Sequence, residues 1–333
     1  MRVTVVGAGV AGLTTALALA EGGAEVELIE RSATLGAAAC SRFAGGMLAP
    51  WCEREAAEAL VLELGREALA YWPRYHAATE RRGSLLVAPR RDEPEIERFA
   101  RRTSGHRRVD GAEIAALEPD LAGRFTRGLF FPEEAHLDPR AALVSLEARL
   151  AALGVAIRFG VDATLSPPAA ELVVDCRGLA ARDRLADLRG VKGEMLLVRC
   201  PEVGLARPVR LLHPRFPVYV VPRGQGLFMV GATSIESDER SRITARSMVE
   251  LLNAAYALHP AFAEAEIVEI GADARPAFPD NLPRIRRRGQ TLFVNGLYRH
   301  GFLLAPALAA RVAGAALEGR QFPEVMDEDQ RQR

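Results

Sequence analysis

The chain has 333 residues, enough for two packed lobes and a core that needs no disulfide staples. Hydrophobic residues make up 49% and charged residues 26%, and 43 Lys+Arg balance 43 Asp+Glu, which excludes a polybasic binder of nucleic acid or of an anionic membrane. A single lysine, Lys192, stands among the cations, so Schiff-base chemistry would depend on that one residue, placed at the entrance to a predicted strand.

The first thirty residues predict a βαβ unit: a strand over 3–6, a glycine turn over 7–12, a helix over 13–21 closed by Gly22-Gly23, and a strand over 25–30. A loop rich in Ala and Gly follows over 33–50. Leu60, Leu64, Leu69 and Trp72 fall at helical spacing within 53–82. Next come a strand over 84–88, a helix over 93–102, and a helix opened by Asp138 as N-cap with Pro139 at its first position. The stripe Leu143, Leu146, Leu150 and Leu153 gives that helix its buried face. Strands are predicted over 155–159, 172–175, 194–199, 218–221 and 227–231, the last two joined by a hairpin turn at Arg223-Gly224-Gln225-Gly226. Arg284, Arg286, Arg287 and Arg288 read as a solvated hairpin tip, with an anion-docking patch as the alternative, before a strand over 290–295, and a helix over 304–317 ends the pattern.

Cys40, Cys52, Cys176 and Cys200 show neither CxxC pairs nor metal-ligand spacing, so free thiols and no metal site are expected. No apolar run reaches the length of a bilayer span, and no leader pattern precedes the first strand. A cytoplasmic protein is expected.

Gly7-Ala8-Gly9-Val10-Ala11-Gly12 matches GxGxxG between strand and helix, with Glu30 eighteen residues beyond Gly12. Gly7 permits the tight turn, Gly9 lets amides approach a pyrophosphate, and Gly12 lets helix and strand close together. The helix N-terminus favours phosphate, and Glu30 can accept from a ribose hydroxyl. The fingerprint points to a dinucleotide and does not separate FAD from NAD.

Five further segments carry a resemblance: 40–50, the Tyr219-Val220-Val221-Pro222-Arg223 and Gly231-Ala232-Thr233 stretches, 274–280, and 296–306. In these motifs the whole chain resembles the FAD-dependent amine oxidoreductases of the D-amino-acid oxidase family, most closely its glycine oxidase branch of thiamine biosynthesis. The resemblance implies an α/β fold, α+β overall. A Rossmann-like FAD-binding domain (1–50, 138–190 and 284–333) would interleave with an antiparallel-sheet substrate domain (51–137 and 191–283). It implies noncovalent FAD, with Gly7, Gly9, Val10, Ala11, Gly12, Glu30 and Arg31 at the ADP half and Ala39, Cys40 and Ser41 at the pyrophosphate. Ala44, Gly45, Gly46 and Met47 would lie along the isoalloxazine, and Leu297, Tyr298, Arg299, His300, Gly301, Phe302 and Leu303 at its pyrimidine edge. The adenine contact is open between Val161 and Ala163. Arg275 and Tyr219 match the groups that hold the substrate carboxylate, and Arg299 could touch either ligand.

The implied reaction is hydride transfer from a small amine to flavin N5 without a dedicated protein base. It would yield imine or 2-oxo acid, ammonium and, with O2, hydrogen peroxide. A homo-oligomer and handover of the imine to a thiazole synthase are further implications. Another D-amino-acid, sarcosine or proline oxidase or dehydrogenase, or the flavoprotein subunit of a dehydrogenase complex, is the alternative. Phe278 and Ser234 depart from the family pattern, Phe278 in a way that could roof the pocket and Ser234 in a way that could open it.

Overall fold

The computed structural model describes residues 1–165, 168–213 and 218–328. The strand Arg2–Val6 pairs in parallel with Glu25–Glu30, Val3 opposite Val26, and on its other side with Leu172–Asp175, Val3 opposite Leu172. Its burial on both faces fits an unbroken run of β-branched residues. Among the described residues these strands belong to a seven-stranded sheet in the order Met326–Glu328, Arg284–Arg288, Thr291–Asn295, Leu172–Asp175, Arg2–Val6, Glu25–Glu30, Ala156–Phe159. All its pairings are parallel except Arg284–Arg288 with Thr291–Asn295.

The helix Val10–Glu21 begins three residues before the predicted start, directly at the glycine turn. The helix Gly301–Leu317 also begins three residues early and carries Pro306 inside it. A proline removes the N–H that would reach the carbonyl four residues back, here that of Phe302. Trp72 Nε1 donates to that carbonyl at 2.7 Å and replaces the missing bond. Trp72 lies on the helix Ala59–Tyr75, whose Val61, Leu64 and Ala68 share one core with Leu13, Leu17, Leu304 and Leu308. This helix therefore packs with the parallel-sheet core, although the expected segment boundaries grouped 51–137 with the other lobe. The expected range to residue 333 runs past the described residues.

The second large sheet runs Ile235–Glu236, Arg189–Arg199, Leu227–Gly231, Val218–Pro222, Val209–Leu211, Ser84–Val87, Arg127–Phe131, Arg107–Asp110, with Glu266–Ala277 paired along Arg189–Arg199. The turn between Val218–Pro222 and Leu227–Gly231 falls at the predicted residues, and Gly224, Gln225 and Gly226 all take positive φ.

Three expectations change. The basic run is a strand rather than a hairpin tip: Arg286 pairs with Asp187 and Asp327, and Arg284 with Asp280 and Asp327. Lys192 lies well inside a strand, 5% exposed, against Glu194 at 3.0 Å and Glu239 at 2.6 Å. Phe278 is fully buried with Ala181, Leu185, Leu188 and Phe293, and it lines neither of the two cavities of the site described below.

Candidate cofactor and substrate site

Two adjoining cavities open where the glycine turn, the 38–47 loop and the start of the Gly301–Leu317 helix converge. The larger, about 340 Å³, is lined by Gly7, Gly9, Val10, Ala11, Glu30, Arg31, Ala39, Cys40, Ser41, Leu297, Tyr298 and Gly301. Gly12 is not on its wall and acts one layer behind: a Cβ there would stand 1.7 Å from the Gly7 carbonyl. Gly7 takes φ 99°, a conformation glycine adopts without strain. The Ala8 amide donates to Glu30 at 2.7 Å and the Val10 amide to Ser41 Oγ at 3.2 Å, so acid and loop are fixed around the turn. Val161 and Ala163 both line this cavity, together with Arg177 and Asn295.

The smaller cavity, about 90 Å³, shares Val10, Cys40, Ser41, Tyr298 and Gly301 with the first and adds Ala44, Gly45, Gly46, Met47, Tyr219, Arg275, Arg299, His300, Phe302 and Leu303. The structure thus brings every expected site residue except Gly12 onto one continuous wall. A chamber headed by a glycine turn at a helix N-terminus, adjoining a smaller pocket that small residues help to line, has the donor set to hold FAD. Burial pushes the Cys40 thiol up to about 11 and the Cys176 thiol up as well, which keeps both protonated and poor partners for a covalent flavin link. Ser234 is exposed, its hydroxyl 3.3 Å from the Tyr298 hydroxyl.

In the smaller cavity the Tyr219 ring lies against Gly45, where a Cβ would meet Tyr219 Cε2 at 2.8 Å. The Arg275 guanidinium lies over Gly193, whose Cβ would come within 2.1 Å of Nη2. Arg275 Nη1 donates to the carbonyls of Thr233 at 3.1 Å and Lys192 at 3.5 Å, and no carboxylate pairs with it among the described residues. Burial pushes its pKa down, the tendency of a cation without a counter-ion.

Glu53 is a wall residue that motif reading passes over. It closes the short helix Pro50–Glu53 and meets Arg210 at 2.5 Å, His300 Nε2 at 3.0 Å and Arg299 at 3.5 Å. Burial pushes its carboxyl up, but Arg299, Arg210 and His300 outweigh that and hold it well below the usual range. His300 is pushed down by burial despite Glu53, which favours the neutral ring. Gly193 is another omission on this wall, as are Phe43 and Asp273. A proline opening a short helix just after the small-residue loop was the available signal for Glu53. Gly193 carried none, because its role depends on strand pairing.

The chain is 59% identical over 325 residues to a Rhizobium etli protein named "Putative thiamine biosynthesis oxidoreductase ThiO", covering 97% of this chain and 99% of that one. It is 28% identical to the glycine oxidase of Geobacillus kaustophilus, over 93% of this chain and 91% of that protein. The fold superposes on the crystal structure of glycine oxidase from Bacillus cereus with a TM-score of 0.82 at 23% identity, over 96% of each chain. Residues 2–315 match the family model DAO, FAD dependent oxidoreductase, and with that match over a wall built for the cofactor the chain belongs to this family of FAD-dependent enzymes.

Proposed function

We propose that this FAD-dependent oxidoreductase oxidises glycine or a comparably small primary or secondary amino acid, and that its imine product feeds thiazole formation in thiamine biosynthesis. The observation that carries the reading is Arg275: a guanidinium on the wall of a small cavity, held by backbone carbonyls and paired with no carboxylate among the described residues, is preset for a carboxylate from outside the chain. Tyr219 stands on the same wall to share that carboxylate. FAD, when bound, supplies the oxidising power, accepting a hydride and passing the electrons to O2. The protein's own part is to bind the carboxylate, orient the α-carbon and exclude water. The names of the Rhizobium etli and Geobacillus kaustophilus relatives support glycine and the thiamine pathway. The expected placements of Gly7 to Gly12, Glu30, Arg31 and the 39–41, 44–47 and 297–303 stretches around FAD belong to the same proposal, as does a noncovalent attachment.

The test is an anaerobic titration of the purified yellow protein with glycine. Bleaching of the visible flavin band, reversed with release of peroxide when air is admitted, is the expected result. A band unmoved by glycine but bleached by sarcosine, proline or a D-amino acid would overturn glycine and move the substrate. No bleaching with any amine would sink the reading.

A further inference from the structure

Arg223 opens the hairpin turn after Val218–Pro222, a place where an arginine ordinarily points to solvent. Its side chain is instead 4% exposed and folded under the loop that lines the smaller cavity. Nη2 donates to the carbonyl of Gly45 at 2.8 Å and of Ala44 at 3.3 Å, and Nη1 donates to that of Leu137 at 3.1 Å. The nearest carboxylate, Asp138, stands 3.5 Å from Nε. Burying a charge in this way is costly, and burial pushes this guanidinium down to about 10.

Peptide geometry indicates what the cost accomplishes. In a trans peptide the C=O and N–H point in opposite directions. Pinning the Ala44 and Gly45 carbonyls to Arg223 therefore turns the N–H groups of Gly45 and Gly46 the other way, toward the cavity that both residues line. Neither N–H has an acceptor among the described residues. The turn is held at its far side too. The Leu137 amide donates to Gly46 at 3.0 Å while the Leu137 carbonyl accepts from Arg223, and Gly46 sits at φ 67° with no room for a Cβ beside the Leu137 oxygen.

We propose that Arg223 is a positioning residue for the flavin, orienting the 44–46 backbone so that two amide donors face the ring site. The proposal rests on the family's cofactor and not on the choice of glycine, so the two can fail separately.

The experiment compares Arg223→Met and Arg223→Lys with a control, Arg140→Met. Arg140 holds the neighbouring Arg42 carbonyl at 3.3 Å and pairs with Glu269, but lines neither cavity. Two readouts need no substrate: the position of the visible band of the bound flavin, and the affinity of apoprotein for FAD. The third is the rate of flavin reduction by whichever amine reduces the wild type.

Arg223→Met is expected to shift the band, weaken FAD binding, and slow reduction at saturating amine by up to about 10²-fold, with the half-saturating amine concentration moving far less. Arg223→Lys should recover part of each change, and Arg140→Met should lower Tm with band and rate unmoved. Should Arg223→Met fail to fold, Arg223→Lys carries the test, since lysine keeps the charge but not the three-carbonyl fork. A band, FAD affinity and rate that match wild type in the folded variant, with only Tm reduced, would overturn the proposal.

Discussion

Arg275 and Gly193 act as a unit. Across the strand pair Gly193 faces Asp273 and Val191 faces Arg275, so the guanidinium reaches diagonally over a position without a side chain. Arg275→Ala should leave a yellow, folded protein whose binding of the amino acid weakens by about 3–5 kcal/mol, read from the substrate dependence of flavin reduction. Gly193→Ala should push the same guanidinium off its seat. A rise in KM of about tenfold or more with unchanged FAD content is expected, because the anchor moves while the dinucleotide chamber is untouched. An unchanged KM in both would place the carboxylate elsewhere. Arg275 and Tyr219 were legible in the sequence through family motifs. Gly193 and Glu53 were not, because their neighbours come from strands and helices far away in the chain. Phe278 shows the opposite failure: motif position placed it at the pocket, while the packed core beneath Arg284 and Arg286 claimed it.

At the scale of elements, the Gly301–Leu317 helix aims its N-terminus at the smaller cavity, and its first turn is held by a side chain from another helix. Trp72 Nε1 supplies the hydrogen bond that Pro306 cannot, and the Trp72 ring packs 5.3 Å from that of Phe302. Trp72→Phe would keep an aromatic ring and remove the donor. The buried Phe302 carbonyl would then lack a partner, costing about 1–3 kcal/mol, measurable as a lower Tm. An unchanged Tm would mean that the carbonyl finds another donor. The predicted start at 304 is three residues late, and the donor from Trp72 lets the helix carry Pro306 deeper inside. Glu266–Ala277 and the Thr244-capped helix Ala245–Leu258 were not read at all. In the strand, acids, Gly271 and Pro276 hide the β pattern, and pairing along Arg189–Arg199 supplies what propensity lacks.

The whole molecule inherits a pH dependence from the charged cluster behind the site. Glu134 is fully buried, accepting from the Cys52 amide at 2.8 Å and from the Ser84 hydroxyl. Burial pushes it up to about 8, against the pull of Ser84, Cys52 and Arg210. The folded state therefore keeps a proton that the unfolded chain releases above its ordinary value of 4.5. The stability this group contributes is full below that value and is lost as pH rises toward 8, at up to about 1.4 kcal/mol per pH unit. Glu53 has the opposite sign: its contribution is present above 4.5 and is lost as pH falls below it. Glu134→Gln should flatten the decline between roughly pH 5 and 8 in denaturant titrations, and an undiminished slope would assign the dependence to other groups. The two-sheet architecture itself was legible from the opening βαβ unit and the later hairpin, since both have short-range signatures. The cluster was not, since it joins residues from 52 to 300.

The near-exclusive use of arginine leaves the protein with a sparse inventory of primary amines. Lys192 is enclosed by Glu194, Glu239 and the Arg242 carbonyl. Reagents that acylate amines, and aldehydes that condense with them, meet a surface whose positive charge is carried by guanidinium groups. Such chemistry is directed to the chain's α-amino group, so an amine-reactive dye or resin would attach the folded protein through one end, far less heterogeneously than in a lysine-rich enzyme.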